Sequence, residues 1–225
     1  LIMAENIVRV EVTPRLGETM RDVRGDLVKR RLIADHNIEF EQVRSIVGYL
    51  VNSDISSQEV ANRIDDLFVD PIIEVGITDE LQLNNSELFS SKPDMVVSVG
   101  FKPGVTDNPG KAALDGFLTI FPEAGDDAKI STYLTFAFWG VPDGVEIEWL
   151  SKQLHNALIE KALTSSKGQE YPAIEFPSVQ PSEYTAPTII DLEVPDEELI
   201  RISNDGLLAL NLEEMQLTEF FQKIF

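Results

Sequence analysis

The chain has 225 residues, 43% of them hydrophobic and 25% charged, the composition of a folded globular protein with room for one large domain or two small ones. Its formal net charge of −21 sets the molecule against polyanions, so neither nucleic-acid nor anionic-membrane binding is expected. It has no cysteine, which excludes disulfides, thiolate metal sites and cysteine nucleophiles. No apolar run reaches the roughly 20 residues of a membrane span, and the first residues lack a signal-peptide core, so a cytoplasmic protein is expected.

Residues 7–13, IVRVEVT, alternate apolar and polar and predict a half-buried strand, followed by a loop with Pro14 and Gly17. Residues 22–35 predict a helix capped by Asp22, with Val23, Leu27, Val28, Leu32 and Ile33 near the helical period. Its Lys29, Arg30 and Arg31 are spread around the axis and read as a solvated face. Residues 40–51 predict a second strand, with Gly48 marking a bulge or bend. SSQEVANRIDDLF predicts a helix with a capping box from Ser56 or Ser57 and Glu59, and residues 71–77 a short third strand.

The pattern then starts again. Residues 95–101 predict a strand, 108–121 a helix with Pro109 in its first turn, and 129–141 a strand. GVEIEWLSKQLHNAL predicts a helix with Val145, Trp149, Leu150 and Leu154 on one face, and LIEKALT is either a closing strand or more of that helix.

Asp22-Val23-Arg24-Gly25 matches Asp107-Asn108-Pro109-Gly110 as D-x-x-G at an offset of 85, and Asp70 to Glu74 matches Asn156 to Glu160 at 86. Two matches at nearly one offset favour an internal duplication. The predicted fold is therefore α/β (α+β): two tandem β-α-β-α-β units, residues 1–85 and 86–170, forming a pseudo-twofold dimer within one chain. Each half would present one sheet face to its own helices and the other face or an edge to its twin.

Residues 171–187 hold four prolines and no glycine and predict a stiff tether anchored by Tyr171, Phe176 and Tyr184. Residues 183–225 hold ten acidic and two basic residues and predict two amphipathic helices divided at Gly206. The second, with Leu212, Met215, Leu217, Phe220, Phe221 and Ile224, is apolar enough to pack on something. Residues 171–225 are thus read as a linker and the start of a helical region.

FKPGVTDNPGKAAL, residues 101–114, has the look of a phosphate loop but not its chemistry. Gly104 and Gly110 are six apart instead of five, Pro109 removes an amide donor, and Ala112 stands where a hydroxyl is needed. Gly110 and Lys111 keep the weak anion affinity of a helix start, against which Asp107 competes. His36 and His155 read as helix C-terminal caps. Asp65-Asp66, Asp126-Asp127 and Glu197-Glu198 read as solvated charge. In the strand 129–141, alternation places Phe136 and Phe138 on one face and Tyr133 and Trp139 on the other, as two-sided packing or an interface. No catalytic or metal-ligating set emerges.

The run Lys102, Pro103, Gly104, Val105, Asp107, Gly110 and Ala112 resembles the K-P-G-V-x-D-x-x-G-x-A motif of the PurS-type module of phosphoribosylformylglycinamidine synthase, the glutamine-dependent ligase of purine biosynthesis. HNALIE, residues 155–160, is similar to that family's N-P-L-I-E, with Ala157 in place of proline. In the first half Pro14, Asp22, Gly25 and Asp70 to Ile73 fit, whereas the longer loop RLGETM departs. Asp205, Gly206, Leu207, Leu210, Leu212, Glu214 and Met215 resemble the opening of the linker that follows in large forms of the enzyme.

The resemblance implies a non-catalytic assembly domain that docks a synthetase domain and a glutaminase domain for ammonia transfer. It implies no cofactor in this chain, with ATP and Mg expected only in a synthetase domain beyond Phe225 or on another chain. Two alternatives stay open: a stand-alone regulatory or scaffold module binding a small ligand or partner between its halves, and a diverged relative whose full-length protein makes a different product.

Overall fold

The computed structural model describes residues 7–15, 17, 20–78, 91–167, 169, 174–177, 192, 194–205, 213, 214 and 216. They divide into a unit within residues 1–179 and a second within 180–225.

Among its described residues the first unit has six strands: β1 (Ile7–Pro14), β2 (Gln42–Asn52), β3 (Glu74–Thr78), β4 (Met95–Phe101), β5 (Lys129–Trp139) and β6 (Glu160–Ser166). They form one sheet in the order β3-β1-β2-β5-β4-β6 with every pairing antiparallel. The fold is α+β. Replacing β1, β2 and β3 by β4, β5 and β6 reproduces the same order read from the opposite edge. The halves join along β2 and β5, which pair from Gln42↔Trp139 to Asn52↔Lys129, with Val47 opposite Leu134 at the centre. Of the two expected means of joining, the sheet uses an edge.

Among the described residues five helices connect the strands: α1 (Val23–His36), α2 (Ser57–Asn62), α3 (Ile64–Leu67), α4 (Asn108–Ile120) and α5 (Ile147–Leu154), with a short 3-10 turn at Pro122–Ala124. The stretch LIEKALT contributes a strand, β6, rather than prolonging α5. The helix expected after Ser56 has its capping box, with Ser56 and Glu59 bonded reciprocally, but breaks at Arg63. The break brings Ile64 against Gly76 of β3 and Leu67 against Gly116 of α4, both of which lack the Cβ that would collide.

Alternation and register place Val8, Val10, Val12, Val43, Val51, Val97, Val99, Ile130, Phe136 and Phe138 on one face of the sheet, where the helices pack. One core joins β1 and α2 to Phe117 and Phe121 at α4. The other joins Val28 and Leu32 of α1 to Phe136, Phe138 and Leu150 of β5 and α5. Both cores draw on both halves, so the helices do not serve only the strands of their own half. In α1 the buried side is Gly25, Val28 and Leu32, while Val23 and Leu27 are 76% and 66% exposed. The apolar positions of that helix thus form two stripes, only one of which meets the core.

The other sheet face buries Glu11, Thr13, Arg44, Ile46, Leu50, Ser98, Tyr133, Thr135 and Trp139. Tyr133 and Trp139 lie here and Phe136 and Phe138 opposite, as alternation predicts. Gly48 makes no bulge: its strand pairs in unbroken register on both sides, and the Tyr133 ring occupies the space a Cβ would take. Ile174 of the tether lies on this face, where its carbonyl accepts from Arg9 at 3.5 Å and its side chain lies 3.9 Å from the place of a Gly100 Cβ. Tyr171 and Tyr184 lie outside the described residues.

In the second unit α6 (Asp196–Asp205) packs Leu199 and Ile202 with Leu192 and Val194. Asp196 accepts from the side chain of Gln216, and Glu198 pairs with Arg201 one turn later. Gly206, Leu207, Leu210, Leu212, Met215, Leu217, Phe220, Phe221 and Ile224, on which the second amphipathic helix and most of the linker resemblance rest, lie outside the described residues.

Candidate functional site

The D-x-x-G turns are latches between a helix start and a strand. Asp22 caps α1 by accepting from the Gly25 amide at 2.8 Å, and it accepts from the Ser45 amide and hydroxyl on β2 at 2.5 and 2.7 Å. Asp107 caps α4 from the Gly110 amide at 2.7 Å and accepts from the Thr132 amide on β5 at 2.5 Å and its hydroxyl at 2.9 Å. One carboxylate thus satisfies a helix-end donor and ties that end to the sheet. Glycine is needed three residues on because the helix start runs against the strand backbone: a Cβ on Gly110 would lie 2.7 Å from the Ile130 carbonyl, and one on Gly25 would overlap that of Val43. Sequence reading found Asp22, Gly25, Asp107 and Gly110 but missed Ser45 and Thr132. Their signal was a hydroxyl residue in each central strand at an offset of 87.

The second repeated motif is also a hydrogen-bonded turn. Asp70 accepts from the Ile72 amide at 2.9 Å, and its own amide donates to Glu74 at 2.9 Å. Asn156 accepts from the Leu158 amide at 3.0 Å, and its own amide donates to Glu160 at 2.6 Å. Each turn is fastened to the strand before the latch, through Arg15 N to Ile73 O at 2.7 Å and Lys102 N to Ile159 O at 2.9 Å. Lys102 also donates from Nζ to the Ala157 carbonyl at 2.5 Å, where the family motif has proline. Pro103 and Gly104 form the exposed corner, with Gly104 at φ 85°, and Val105 N closes it onto Lys102 O. Ala112 and Lys111 are exposed on α4, and the Lys111 amide donates to the Asp107 carbonyl.

The latches differ in their surroundings. Beside Asp22 lies Arg44, 3% exposed, its Nε 3.5 Å from the Asp22 carboxylate and its Nη2 donating to Thr13 Oγ1 at 2.9 Å and to the Pro14 carbonyl at 2.6 Å. Burial pulls the guanidinium below its ordinary pKa, opposed by the charge and hydrogen bonding of Asp22. Beside Asp107 the equivalent strand position is Ser131. An open cleft of about 420 Å³ adjoins the first latch, edged by Arg21, Lys29 and Arg44 and by Asp26 and Glu41. Its charges are of both signs and focus no single kind of ion.

Both histidines are held by neutral groups: His36 Nε2 lies 3.1 Å from Gln153 Oε1 with its ring edge-on to Trp149, and His155 Nδ1 is 2.6 Å from the Ser151 carbonyl. Asp66 is paired with Arg63, and Asp126 and Asp127 are exposed. Among the described residues no group of three acidic or histidine side chains is placed to hold a metal, and no helix is long and apolar enough to cross a membrane.

Exposed apolar side chains, by contrast, recur. Ile72 and Ile73 are 72% and 50% exposed at the first repeated turn, and Leu158 and Ile159 are 85% and 42% exposed at the second. They form a matched pair of apolar knobs beside the two outer strands. No protein-family model and no curated protein matches the chain.

Proposed function

We propose that the chain is the non-catalytic N-terminal assembly domain of an ATP- and glutamine-dependent phosphoribosylformylglycinamidine synthase, which docks the synthetase and glutaminase parts for ammonia transfer. The observation that carries this reading is the latch: the same carboxylate–glycine–hydroxyl geometry stands at Asp22, Gly25 and Ser45 and at Asp107, Gly110 and Thr132, and its aspartates and glycines are the residues that fit the family's motif. The self-mapping strand order and the two cores built from both halves support two tandem PurS-like units acting as a dimer in one chain. In this reading ATP and Mg belong to the synthetase domain, the whole enzyme is cytoplasmic, and the apolar turns meet the partner domains.

The test is twofold: the coding sequence past Phe225, which should enter a synthetase domain, and co-purification of this chain with separately expressed synthetase and glutaminase parts of such an enzyme. A stop codon after Phe225 together with no affinity for either part would sink the reading.

A further inference from the structure

The outward face of α1 departs from its counterpart on α4. The two helices start on equivalent caps, Asp22 and Asp107, and bury equivalent positions, Gly25 with Gly110 and Leu32 with Phe117. Opposite that buried side, helical spacing aligns Val23, Leu27, Arg30 and Ala34 on α1, and Asn108, Ala112, Asp115 and Thr119 on α4, all exposed. α4 shows that capping and core packing ask for nothing apolar here. α1 nevertheless spends two large apolar side chains on water, 76% and 66% exposed. Among the described residues the side chains of Arg24 and Arg30 make no hydrogen bond or ion pair, whereas Arg31 donates to the Gln153 carbonyl and Lys29 to that of Glu41. The helix carries four cations against two carboxylates in a chain of net charge −21.

We propose that this face of α1 docks an acidic segment of a separate protein, one presenting apolar side chains a helical turn apart among carboxylates. Val23 and Leu27 then leave water against its apolar side chains, and Arg24 and Arg30 meet its carboxylates. A nucleic acid or an anionic membrane extends past the island and meets the repelling field of the whole chain; a short acidic segment needs only the island. The inference is independent of the ligase reading, since it rests on the contrast between two helices of one chain.

The test uses the whole chain and four labelled probes: a helical peptide with leucines at i and i+4 surrounded by glutamates, the same peptide with lysines for glutamates, a DNA duplex, and phosphatidylserine vesicles. At low salt the glutamate peptide should bind, more weakly as salt rises, and the duplex and the vesicles should not; the lysine peptide meets the opposite field of a chain of net charge −21, and any binding it shows should not be weakened by Leu27→Asp or Arg30→Glu. Leu27→Asp and Arg30→Glu should each weaken binding of the glutamate peptide by about tenfold or more without lowering Tm, while Ala112→Asp on α4 leaves it unchanged. Failure of the glutamate peptide to bind overturns the proposal, as does binding indifferent to Leu27→Asp and Arg30→Glu, or preference of this face for the duplex or the vesicles.

Discussion

The phenol of Tyr133, on β5, donates to Oε1 of Glu11, on β1, at 2.5 Å, and its ring crosses the intervening strand directly over Gly48. Both side chains are buried, and the contact keys the central strand of one half to two strands of the other. Gly48→Ala puts a methyl group into the ring and should destabilise by about 1–3 kcal/mol, as overpacking does. Urea denaturation should show the loss, and Tyr133→Ala in the same chain should cost less than the sum of the two single changes, because it empties the space the methyl needs. Additive effects would mean that the ring does not rest on Gly48.

The two latches should not be equally sensitive. Asp107→Ala removes a cap and two strand bonds at a partly buried site, for which about 1–2 kcal/mol is the scale. Asp22→Ala removes the same bonds and also takes the carboxylate from the buried Arg44, for which about 3–5 kcal/mol is the scale. Denaturation of both variants should therefore rank Asp22→Ala as the more damaging. Replacing Arg44 by Met in the Asp22→Ala chain should recover part of the difference, since no buried charge is then left behind.

The caps and strands were legible because they depend on local chemistry. Asp22, Asp107, Ser56 and Pro109 announce helix starts on their own, and the alternation of IVRVEVT and MVVSVGF fixes which side chains share a face. What escaped the sequence was decided by partners far along the chain. The choice of Val28 over Leu27 as a core residue follows from the way α1 lies against β2, and Gly48 reads as a bend until the Tyr133 ring is seen on it. Arg44, inside an ordinary strand pattern, gave no sign of its burial beside Asp22. The break at Arg63 depends on Gly76 and Gly116, thirteen and fifty-three residues away.

Acid should weaken the start of β4. Asp94 accepts from Lys167 Nζ at 3.0 Å and from the Gly140 amide at 2.9 Å, and the Lys167 hydrogen bond, ahead of those from the Gly140 and Val141 amides, holds its carboxyl below the ordinary value. Because the folded pKa is depressed, its contribution is present above the unfolded value of about 3.9 and is lost as pH falls through the lower folded value. Asp94→Asn should flatten the dependence of stability on pH below about 4, and Lys167→Met should raise the Asp94 pKa measured by carboxyl NMR. An unchanged pKa in Lys167→Met would show that the ion pair does not form in solution.

The paired turns provide the last expectation. Leu158 and Ile72 stand at equivalent places, 85% and 72% exposed, while their turns are held by backbone and Asx hydrogen bonds that do not involve these side chains. Changing either to Lys should alter stability by no more than about 0.5 kcal/mol, the usual effect at an exposed position. If the turns are the docking knobs of an assembly domain, the same changes should weaken retention of the synthetase part on this chain, the double change more than either single one. Normal retention by a double variant with unaltered Tm would move the docking surface elsewhere on the sheet and leave the exposed apolar pairs without a role in assembly.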